Sequence, residues 1–396
     1  MDGNPKSGKK PHKEETRLVH GGRRPSEQYG FINIPPYRGS TILYANAADC
    51  LAMRNRFTYG RRGNPTMEAL QDLWTELEGA AGTVVCPSGG SAVSTGFLAA
   101  LKAGDHVLVT DSTYRPTRNF CNNFLTRMNI ETTYYDPMIG GGIAELIRPN
   151  TRLIHMESPG SQTFEVQDVP AIVAAAKARG VTTSIDNTWA TPLLFRPMDF
   201  GVDIVINAAT KYPVGHSDVL IGLVSANEKL LPDLQLAHGE LCLYVSSDDI
   251  YLTLRGLRTM KLRLREQGAN ALKIARHLAT HKQVKKVIHP ALPGSPGHEI
   301  FKRDFKGSSG LFAIELDARS DAEVIAFLDN LALFGMGYSW GGYESLAVPF
   351  DCTSFRTATA YNPDGRGIRL NIGLEDPDDI IADLENGFAA MAKAKG

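Results

Sequence analysis

A lysine and an aspartate that each follow a predicted β-strand are the residues best suited to catalysis. Lys211 follows the apolar segment 202–207 after three small residues, and Asp186 directly follows segment 181–185. Strands separated by helices predict a parallel sheet, and its carboxyl edge is where such sheets bind ligands. An amine and a carboxylate at one cleft suit pyridoxal phosphate, because the lysine can form a Schiff base and the aspartate can keep the pyridine nitrogen protonated. A lysine that extends from a strand end to a nearby carboxylate is the alternative.

Two glycine-containing segments could bind a phosphate group. Segment 87–92 joins a strand to a helix, and Gly89 and Gly90 allow close backbone approach to an anion at the helix N-terminus. The same glycines could serve packing alone. Tyr59 and Arg61 lie in a second glycine-rich stretch, where arginine is a natural phosphate clamp. A solvated basic turn would have the same composition.

Other candidates could contact a cofactor ring or a substrate. Tyr114 follows a strand end and could stack on a planar ring, although a core aromatic is the commoner explanation. Arg369 lies in the apolar stretch 368–373, where a charge is costly unless it is paired. A substrate carboxylate or a structural salt bridge would satisfy it equally well. Segment 338–345 has the composition of a pocket wall and begins with Tyr338, Ser339 and Trp340.

The composition is typical of a soluble globular protein of two or three domains. The chain has 396 residues and a net charge of -1, which argues against nucleic-acid binding. No apolar run reaches the length of a membrane span. The five cysteines and ten histidines show no metal-ligand or redox spacing, so no catalytic metal is predicted. The polar first fifteen residues lack an apolar signal core, which predicts a disordered tail (1–15) and a cytoplasmic protein.

Alternating strands and helices predict an α/β fold with an N-terminal arm and two domains. Residues 16–60 form the arm, which needs a partner surface to become ordered. Residues 61–255 form a large domain with a mainly parallel seven-stranded sheet covered by helices, and residues 256–396 form a smaller α+β C-terminal domain. The predicted strands of the large domain are 83–86, 106–110, 132–135, 153–157, 181–185, 204–207 and 220–225. The connection before the last strand is too short for a helical crossover, which allows that strand to run antiparallel.

Five longer strings are more distinctive than any single residue. They lie at 184–190, 208–212, 215–218, 338–346 and 368–376. Together they resemble the cystathionine β-lyase branch of the Cys/Met-metabolism family of pyridoxal-phosphate enzymes, over about residues 16–392. The resemblance implies a fold similar to aspartate aminotransferase (fold type I) and cleavage of L-cystathionine to L-homocysteine, pyruvate and ammonia in methionine synthesis.

The resemblance also implies roles for the matched residues. Lys211 carries pyridoxal 5'-phosphate and moves protons, Asp186 pairs with the ring nitrogen, and Tyr114 stacks on the ring. The phosphate is held by Gly89, Gly90 and Thr210. Tyr59 and Arg61 reach the cofactor of a neighbouring subunit, which implies a homodimer and, as two dimers, a homotetramer. The implied catalytic residues are Lys211, Tyr114, Asp186 and Tyr59, and the implied substrate-binding residues are Arg369, Ser339, Trp340 and Tyr338.

Some positions depart from the wider family. Ala208 replaces a common serine and Ser161 replaces an asparagine, as in the β-lyase branch. Trp189 and Trp340 also fit that branch, and we expect both indoles to narrow the pocket. Gly239 stands where some β-lyases have a tyrosine, which leaves the residues around the distal half of the substrate undefined. The alternatives are a γ-acting lyase or synthase of the family and a non-catalytic regulator with its fold. Cystine or other cysteine S-conjugates could also be substrates.

Overall fold

The N-terminal arm contains more helix than the sequence predicts. The structure, a computed structural model, describes residues 12–395, so residues 1–11 of the predicted tail lie outside it. Glu14 and Glu15, which we expected in that disordered tail, instead begin helix α1 (Glu14–His20). The Nζ of Lys261 lies 2.8 Å from a Glu14 carboxylate oxygen and 2.9 Å from one of Glu15, so tertiary ion pairs hold this helix. A second helix, α2 (Ala47–Leu51), interrupts the otherwise irregular arm.

Seven strands form the central sheet of the large domain, which confirms the predicted fold class. They are β1 (Gly82–Cys86), β2 (His106–Thr110), β3 (Glu131–Tyr135), β4 (Thr151–Glu157), β5 (Thr182–Asp186), β6 (Ile204–Asn207) and β7 (Gly222–Ala226). Their spatial order is β1-β7-β6-β5-β4-β2-β3. Strands β2 to β6 are parallel, and β7 is antiparallel to both of its neighbours, as the short connection before it allows.

Helices cover both faces of this sheet. Helix α3 (Pro65–Glu78) begins after Asn64, whose side-chain oxygen accepts the backbone N–H of Met67 at 3.0 Å. Its apolar face, including Leu70, Leu73 and Trp74, is buried in the core. The other helices up to the domain boundary are α4 (Gly89–Ala100), α5 (Arg115–Asn119), α6 (Val169–Ala178), α7 (Thr191–Leu194), α8 (Leu231–Glu240) and α9 (Ser247–Leu257).

The C-terminal part of the chain builds a four-stranded antiparallel sheet. Its strands, β8 (Val284–Ile288), β9 (Leu311–Leu316), β10 (Leu346–Phe350) and β11 (Arg366–Asn371), lie in the order β10-β11-β9-β8. The sequence predicts β9 and β11 but not the two edge strands, because Lys285 and Lys286 interrupt the apolar pattern of β8 and Pro349 lies within β10. The helices here are α10 (Met260–Leu278), α11 (His298–Asp304), α12 (Asp321–Asp329) and α13 (Pro377–Ala394).

The predicted long helix at 248–280 is two helices, since α9 ends at Leu257 and α10 begins at Met260. The boundary at residue 256 lies next to this break and stays a prediction. Within residues 12–395, none of the helices combines the length and the apolar character needed to span a bilayer.

Candidate active site

The structure brings Lys211 and Asp186 to the same edge of the large sheet. Asp186 is the last residue of β5, and β6 lies beside it and leads into the turn that carries Lys211. The carboxyl ends of neighbouring parallel strands therefore place an amine and a carboxylate at one cleft. No ion pair joins the two side chains among the described residues, so Lys211 is not held by a nearby carboxylate in this structure.

The Lys211 amine lies in a confined position between the two domains. Its Nζ donates a hydrogen bond of 2.7 Å to the hydroxyl oxygen of Ser339 and lies 5.2 Å from the centre of the Trp340 ring. Burial, with a smaller contribution from the positive charge of Arg369, lowers the pKa of the Lys211 amine to about 8. A larger fraction of this lysine is therefore neutral at physiological pH than of an exposed one, and a neutral amine is the form that attacks a carbonyl group or accepts a proton.

Asp186 has a second carboxylate beside it. Glu157 ends β4 and pairs in register with Asp186 across the two parallel strands. Burial raises the pKa of both carboxyls, and the negative charge of Asp186 adds to the rise at Glu157, whose pKa stands well above its usual range. A protonated pyridine nitrogen at this point would supply the positive charge that the pair lacks. The acidic pair thus fits a cationic heterocycle.

Tyr114 is held close to this acidic pair. Its backbone N–H donates a hydrogen bond of 2.7 Å to Glu157, and its side chain is about half exposed to the cleft. Burial raises the pKa of the Tyr114 phenol, the charges of Glu157 and Asp186 raise it further, and Arg369 opposes them. The phenol therefore lies within electrostatic reach of both the acidic pair and Arg369, and its stacking on a cofactor ring stays a prediction.

The first turn of α4 has the geometry of an anion-binding helix N-terminus. The cap at Ser88 is reciprocal, because its hydroxyl oxygen accepts the N–H of Ser91 at 3.1 Å and its own N–H donates to the Ser91 hydroxyl at 3.0 Å. This arrangement leaves the N–H groups of Gly89 and Gly90 available to an anion. A Cβ on Gly89 would lie only 2.5 Å from that of Ala208, so close packing against the lysine turn requires glycine there.

The hydroxyl of Thr210, the residue before Lys211, is already hydrogen-bonded to the backbone of Ile221. Its hydroxyl donates to the carbonyl oxygen of Ile221 at 3.1 Å and accepts the N–H of Ile221 at 2.9 Å. These contacts fix the Thr210 side chain beside Lys211. Its predicted contact with a phosphate group would need the hydroxyl hydrogen to turn away from Ile221.

Arg369 is a buried cation that no carboxylate neutralises. Its side chain donates a hydrogen bond of 2.9 Å to the carbonyl oxygen of Ser339, and no ion pair to it occurs within residues 12–395. Only 8% of Arg369 is exposed, and burial lowers the pKa of its guanidinium. The sequence left two possible partners for Arg369, a substrate carboxylate and a structural carboxylate of the protein. No carboxylate in the described part of the chain pairs with it, which favours the substrate.

Ser339 connects Lys211 and Arg369. Its hydroxyl binds the amine and its carbonyl oxygen binds the guanidinium, while its backbone adopts φ 116°, a strained conformation for a residue with a side chain. Trp340 follows it and packs against Tyr212, with 5.5 Å between the ring centres. The strained residue thus sets the relative position of the amine and the buried cation.

Three other predicted site residues make no hydrogen bond to Lys211, Ser339 or Arg369 in the described part of the chain. Tyr59 and Tyr338 are 47% and 84% exposed, and Arg61 donates its bond to the carbonyl oxygen of Gly239, 3.1 Å away. The expectation that Trp189 narrows the pocket is not supported, because its indole donates to the carbonyl oxygen of Leu311 and packs edge-on against two phenylalanines in the core. Of the two indoles, that of Trp340 is the one that lies beside the Lys211 amine.

The sequence analysis missed two residues of the site. Glu157 could have been found by the rule that selected Asp186, since it also ends a parallel strand at the same edge. Asn371 accepts the backbone N–H of Gly341 at 2.9 Å and donates to the carbonyl oxygen of Glu344 at the same distance, which fixes the loop that carries Trp340. Only the structure reveals this second role, because the partners lie on a separate loop.

A lysine amine, an acidic pair at a strand end and a glycine cradle at a helix N-terminus together match the three functional parts of pyridoxal phosphate. The fold and the site thus define a pyridoxal-phosphate enzyme of the class that acts on amino acids. A family model described as Cys/Met metabolism PLP-dependent enzyme matches residues 15–389, and the chain belongs to this family. The predicted resemblance is confirmed, and pyridoxal phosphate is the cofactor of this family.

Individual relatives resemble the chain over nearly its full length. It is 51% identical to a putative cystathionine beta-lyase of Rhizobium johnstonii, over 95% of this chain and 96% of the relative. It is 46% identical to cystathionine beta-lyase MetC of Escherichia coli, over 96% and 99% of the two chains. It is also 39% identical to an L-alanine/L-glutamate racemase of Wolbachia pipientis, over 96% and 98%. Among solved structures, a cystathionine gamma synthase from Xanthomonas oryzae pv. oryzae in complex with cystathionine has a TM-score of 0.90 at 32% identity, covering 97% of this chain and all of that one.

Proposed function

We propose that this protein is a pyridoxal-phosphate carbon–sulfur lyase that converts L-cystathionine to L-homocysteine, pyruvate and ammonia. The observation that carries the proposal is the joint contact of Ser339 with Lys211 and Arg369. It places a proton-accepting amine next to a buried cation without a carboxylate partner, an arrangement that suits an amino acid held by its α-carboxylate. The beta-lyase names of relatives at 46–51% identity support the choice of reaction.

Each step of the elimination has a residue suited to it. Arg369 binds the α-carboxylate of the substrate in place of water, and a bidentate pair would also orient the α-carbon. Lys211 in its neutral form removes the α-proton, which its pKa of about 8 permits. When bound, pyridoxal phosphate supplies the electron sink for the resulting charge. Asp186 would hold the proton on the ring nitrogen. The Cβ–S bond then breaks, and the sulfur takes up the proton that Lys211 removed and leaves as homocysteine. The three-carbon remainder of the substrate takes up one water molecule and yields pyruvate and ammonia.

Trp340 supports elimination at the β-carbon. Its ring faces the Lys211 amine at 5.2 Å and occupies space beside the site of proton transfer. A γ-elimination needs a second proton removal at Cβ, and hence a base that can reach that carbon after the first step. A bulky wall beside Lys211 limits this movement, and small errors in placement cost orders of magnitude in rate.

Cystathionine given to the loaded enzyme is expected to yield pyruvate and homocysteine in equal amounts. The reason is that one Cβ–S cleavage releases both, so their ratio tests the reaction directly. Separation of the oxo acids by chromatography provides the measurement. Dominant 2-oxobutyrate with cysteine would instead indicate a γ-lyase. Conversion of L-alanine to D-alanine without cystathionine cleavage would indicate a racemase like the Wolbachia relative.

We also propose a homodimer as the catalytic unit and a tetramer of two dimers as the assembly. Several apolar side chains of the arm are exposed in the single chain, including Tyr29 at 99%, Leu43 at 85% and Leu51 at 89%. Exposed apolar side chains clustered in one segment are typical of an interface. Tyr59 and Arg61 contact no other predicted site residue of their own chain, and a partner's cofactor would give them one.

Two inactive variants are expected to restore activity when their subunits are mixed. Lys211→Ala loses the amine and Arg61→Ala loses the proposed phosphate contact, but a mixed dimer has one site in which both residues are intact. Random exchange should recover about a quarter of the wild-type activity. Each variant mixed with itself serves as the control. If mass spectrometry shows that subunits exchange and no activity returns, Arg61 acts within its own chain.

The cytoplasmic location predicted from the sequence stays a proposal, as does a role in methionine synthesis. All five cysteines are free thiols, which suits a reducing compartment.

A further inference from the structure

A buried aspartate joins the two domains next to the predicted ring-stacking tyrosine. Asp111 immediately follows β2, lies three residues before Tyr114 and is completely buried. It pairs with Arg118 of its own domain and with Arg356 of the C-terminal domain, whose Nε lies 3.3 Å from the carboxylate. Asp111 thus joins an arginine of each domain through one buried carboxylate.

The same carboxylate anchors the backbone of the C-terminal domain. The N–H groups of Thr357, Ala358 and Thr359 donate to it at distances of 3.1, 3.0 and 2.9 Å. Three consecutive backbone donors on one carboxylate fix the path of the main chain itself and satisfy three N–H groups of the loop. Asp111 therefore connects the loop 356–359 rigidly to the segment that carries Tyr114.

Arg356 extends this connection to a second loop of the cleft. Its guanidinium donates to the hydroxyl of Thr163 at 3.0 Å and to the carboxylate of Glu165 at 2.8 Å. Both lie in the turn 159–165 that follows β4, and the backbone N–H of Ser161 in this turn donates to the carbonyl oxygen of Ser112 at 2.8 Å. Arg356, whose side chain is only 5% exposed, thus contacts both this turn and the segment that leads to Tyr114.

We propose that Arg356 is a positioning residue that holds the Tyr114 loop and the turn 159–165 at a fixed separation, and so sets how Tyr114 stacks on the cofactor ring. The inference rests on the proposed function only in that the site holds pyridoxal phosphate. The five residues Asp111, Arg118, Thr163, Glu165 and Arg356 form what we term the interdomain clasp. Because its charged residues come from both domains, the clasp forms only when the C-terminal domain packs against the large domain.

A purely structural ion pair is the competing explanation, and the chain provides a control for it. Arg303 of α11 pairs with Asp168 before α6 at 2.9 Å, and it also joins the two domains. That pair makes no contact with the Tyr114 loop or the turn 159–165. Arg303→Gln therefore removes an interdomain ion pair without disturbing the proposed positioning.

Arg356→Gln in the holoenzyme is expected to change the circular dichroism of the cofactor's visible band, which reports the orientation of the ring and its stacked neighbour. The cofactor content should stay at one per chain, and kcat/KM should fall on the order of tenfold because a misplaced reacting group slows chemistry. Arg303→Gln should leave the band and kcat/KM unchanged. Arg356→Lys should restore the band only in part, since it keeps the charge but loses the forked contacts.

The circular dichroism of the cofactor is measured without substrate, so it tests the positioning role of Arg356 independently of the reaction that the enzyme catalyses. If Arg356→Gln lowers only the melting temperature and leaves the visible band unchanged, the clasp is structural and the proposal is overturned. If Arg356→Gln does not fold, the double variant Thr163→Val/Glu165→Leu removes both contacts of Arg356 with the turn while leaving its pair with Asp111. An unchanged visible band in that variant would equally overturn the proposal, whereas an altered band with a normal melting temperature would support it.

Discussion

Replacing Lys211 by alanine will abolish covalent attachment of pyridoxal phosphate and lower kcat by about 10⁴-fold or more, since both the attachment point and the proton acceptor are lost. The wild-type holoenzyme reduced with borohydride should carry its label on Lys211, as peptide mapping by mass spectrometry would show. The variant should bind the cofactor without covalent attachment and carry no label.

A surface lysine of the same domain provides the control for this result. Lys229 is exposed, so Lys229→Ala should keep both label and activity. Because burial lowers the pKa of Lys211 to about 8, the folded protein gains no stability from that charge, and cofactor-free Lys211→Ala should melt no lower than cofactor-free wild type. A label on any other lysine of the wild-type enzyme would refute the assignment.

Replacing Arg369 by leucine will lower kcat/KM, and the loss will correspond to about 2–4 kcal/mol of transition-state stabilisation. The variant loses a buried charged hydrogen bond to the substrate carboxylate. The physical reason is that Arg369 is almost fully buried and binds only the carbonyl oxygen of Ser339 among the described residues. The cofactor spectrum should remain, because no predicted cofactor contact is removed. Steady-state kinetics and absorbance spectra on the same preparation would test both parts.

The free enzyme should tolerate this change, because the leucine removes a buried charge that has no carboxylate partner in the chain. Arg369→Lys provides the matched variant, since it keeps the charge and loses the forked geometry, and its kcat/KM should lie between wild type and Arg369→Leu. An Arg369→Leu protein that loses its cofactor or unfolds would indicate that the arginine has a structural partner instead.

The large sheet and the edge that carries Asp186 and Lys211 could be predicted because their signals are local. Each strand is a short apolar run, and the polar residue that ends it identifies the edge, as for Asp186. The short connection from Asn207 to Gly222, also a local quantity, allowed β7 to run antiparallel. Predictions of this type need no knowledge of which distant segments meet.

The contacts that complete the site could not be predicted, because they join segments far apart in the chain. Lys211 and Ser339 are 128 positions apart, and Asp111 and Thr357 are 246 apart. Nothing near Ser339 in the sequence indicates that its carbonyl oxygen will bind Arg369. Trp189 shows the converse: its position beside Asp186 suggested a pocket residue, but the docking of the C-terminal domain turned it into a core side chain.

The position of β1 at the edge of the sheet has a consequence for the order of assembly. Its sole neighbour in the large sheet is β7, and Cys86 pairs with Gly222 only after the intervening chain has been made. Pairing of two strands so far apart in the sequence is slow compared with pairing among β2 to β6, whose partners are nearer in the chain. The anion cradle follows β1 directly, so we expect a nascent chain to acquire its phosphate-binding turn late, after the strands that carry Asp186 and Glu157 have already paired.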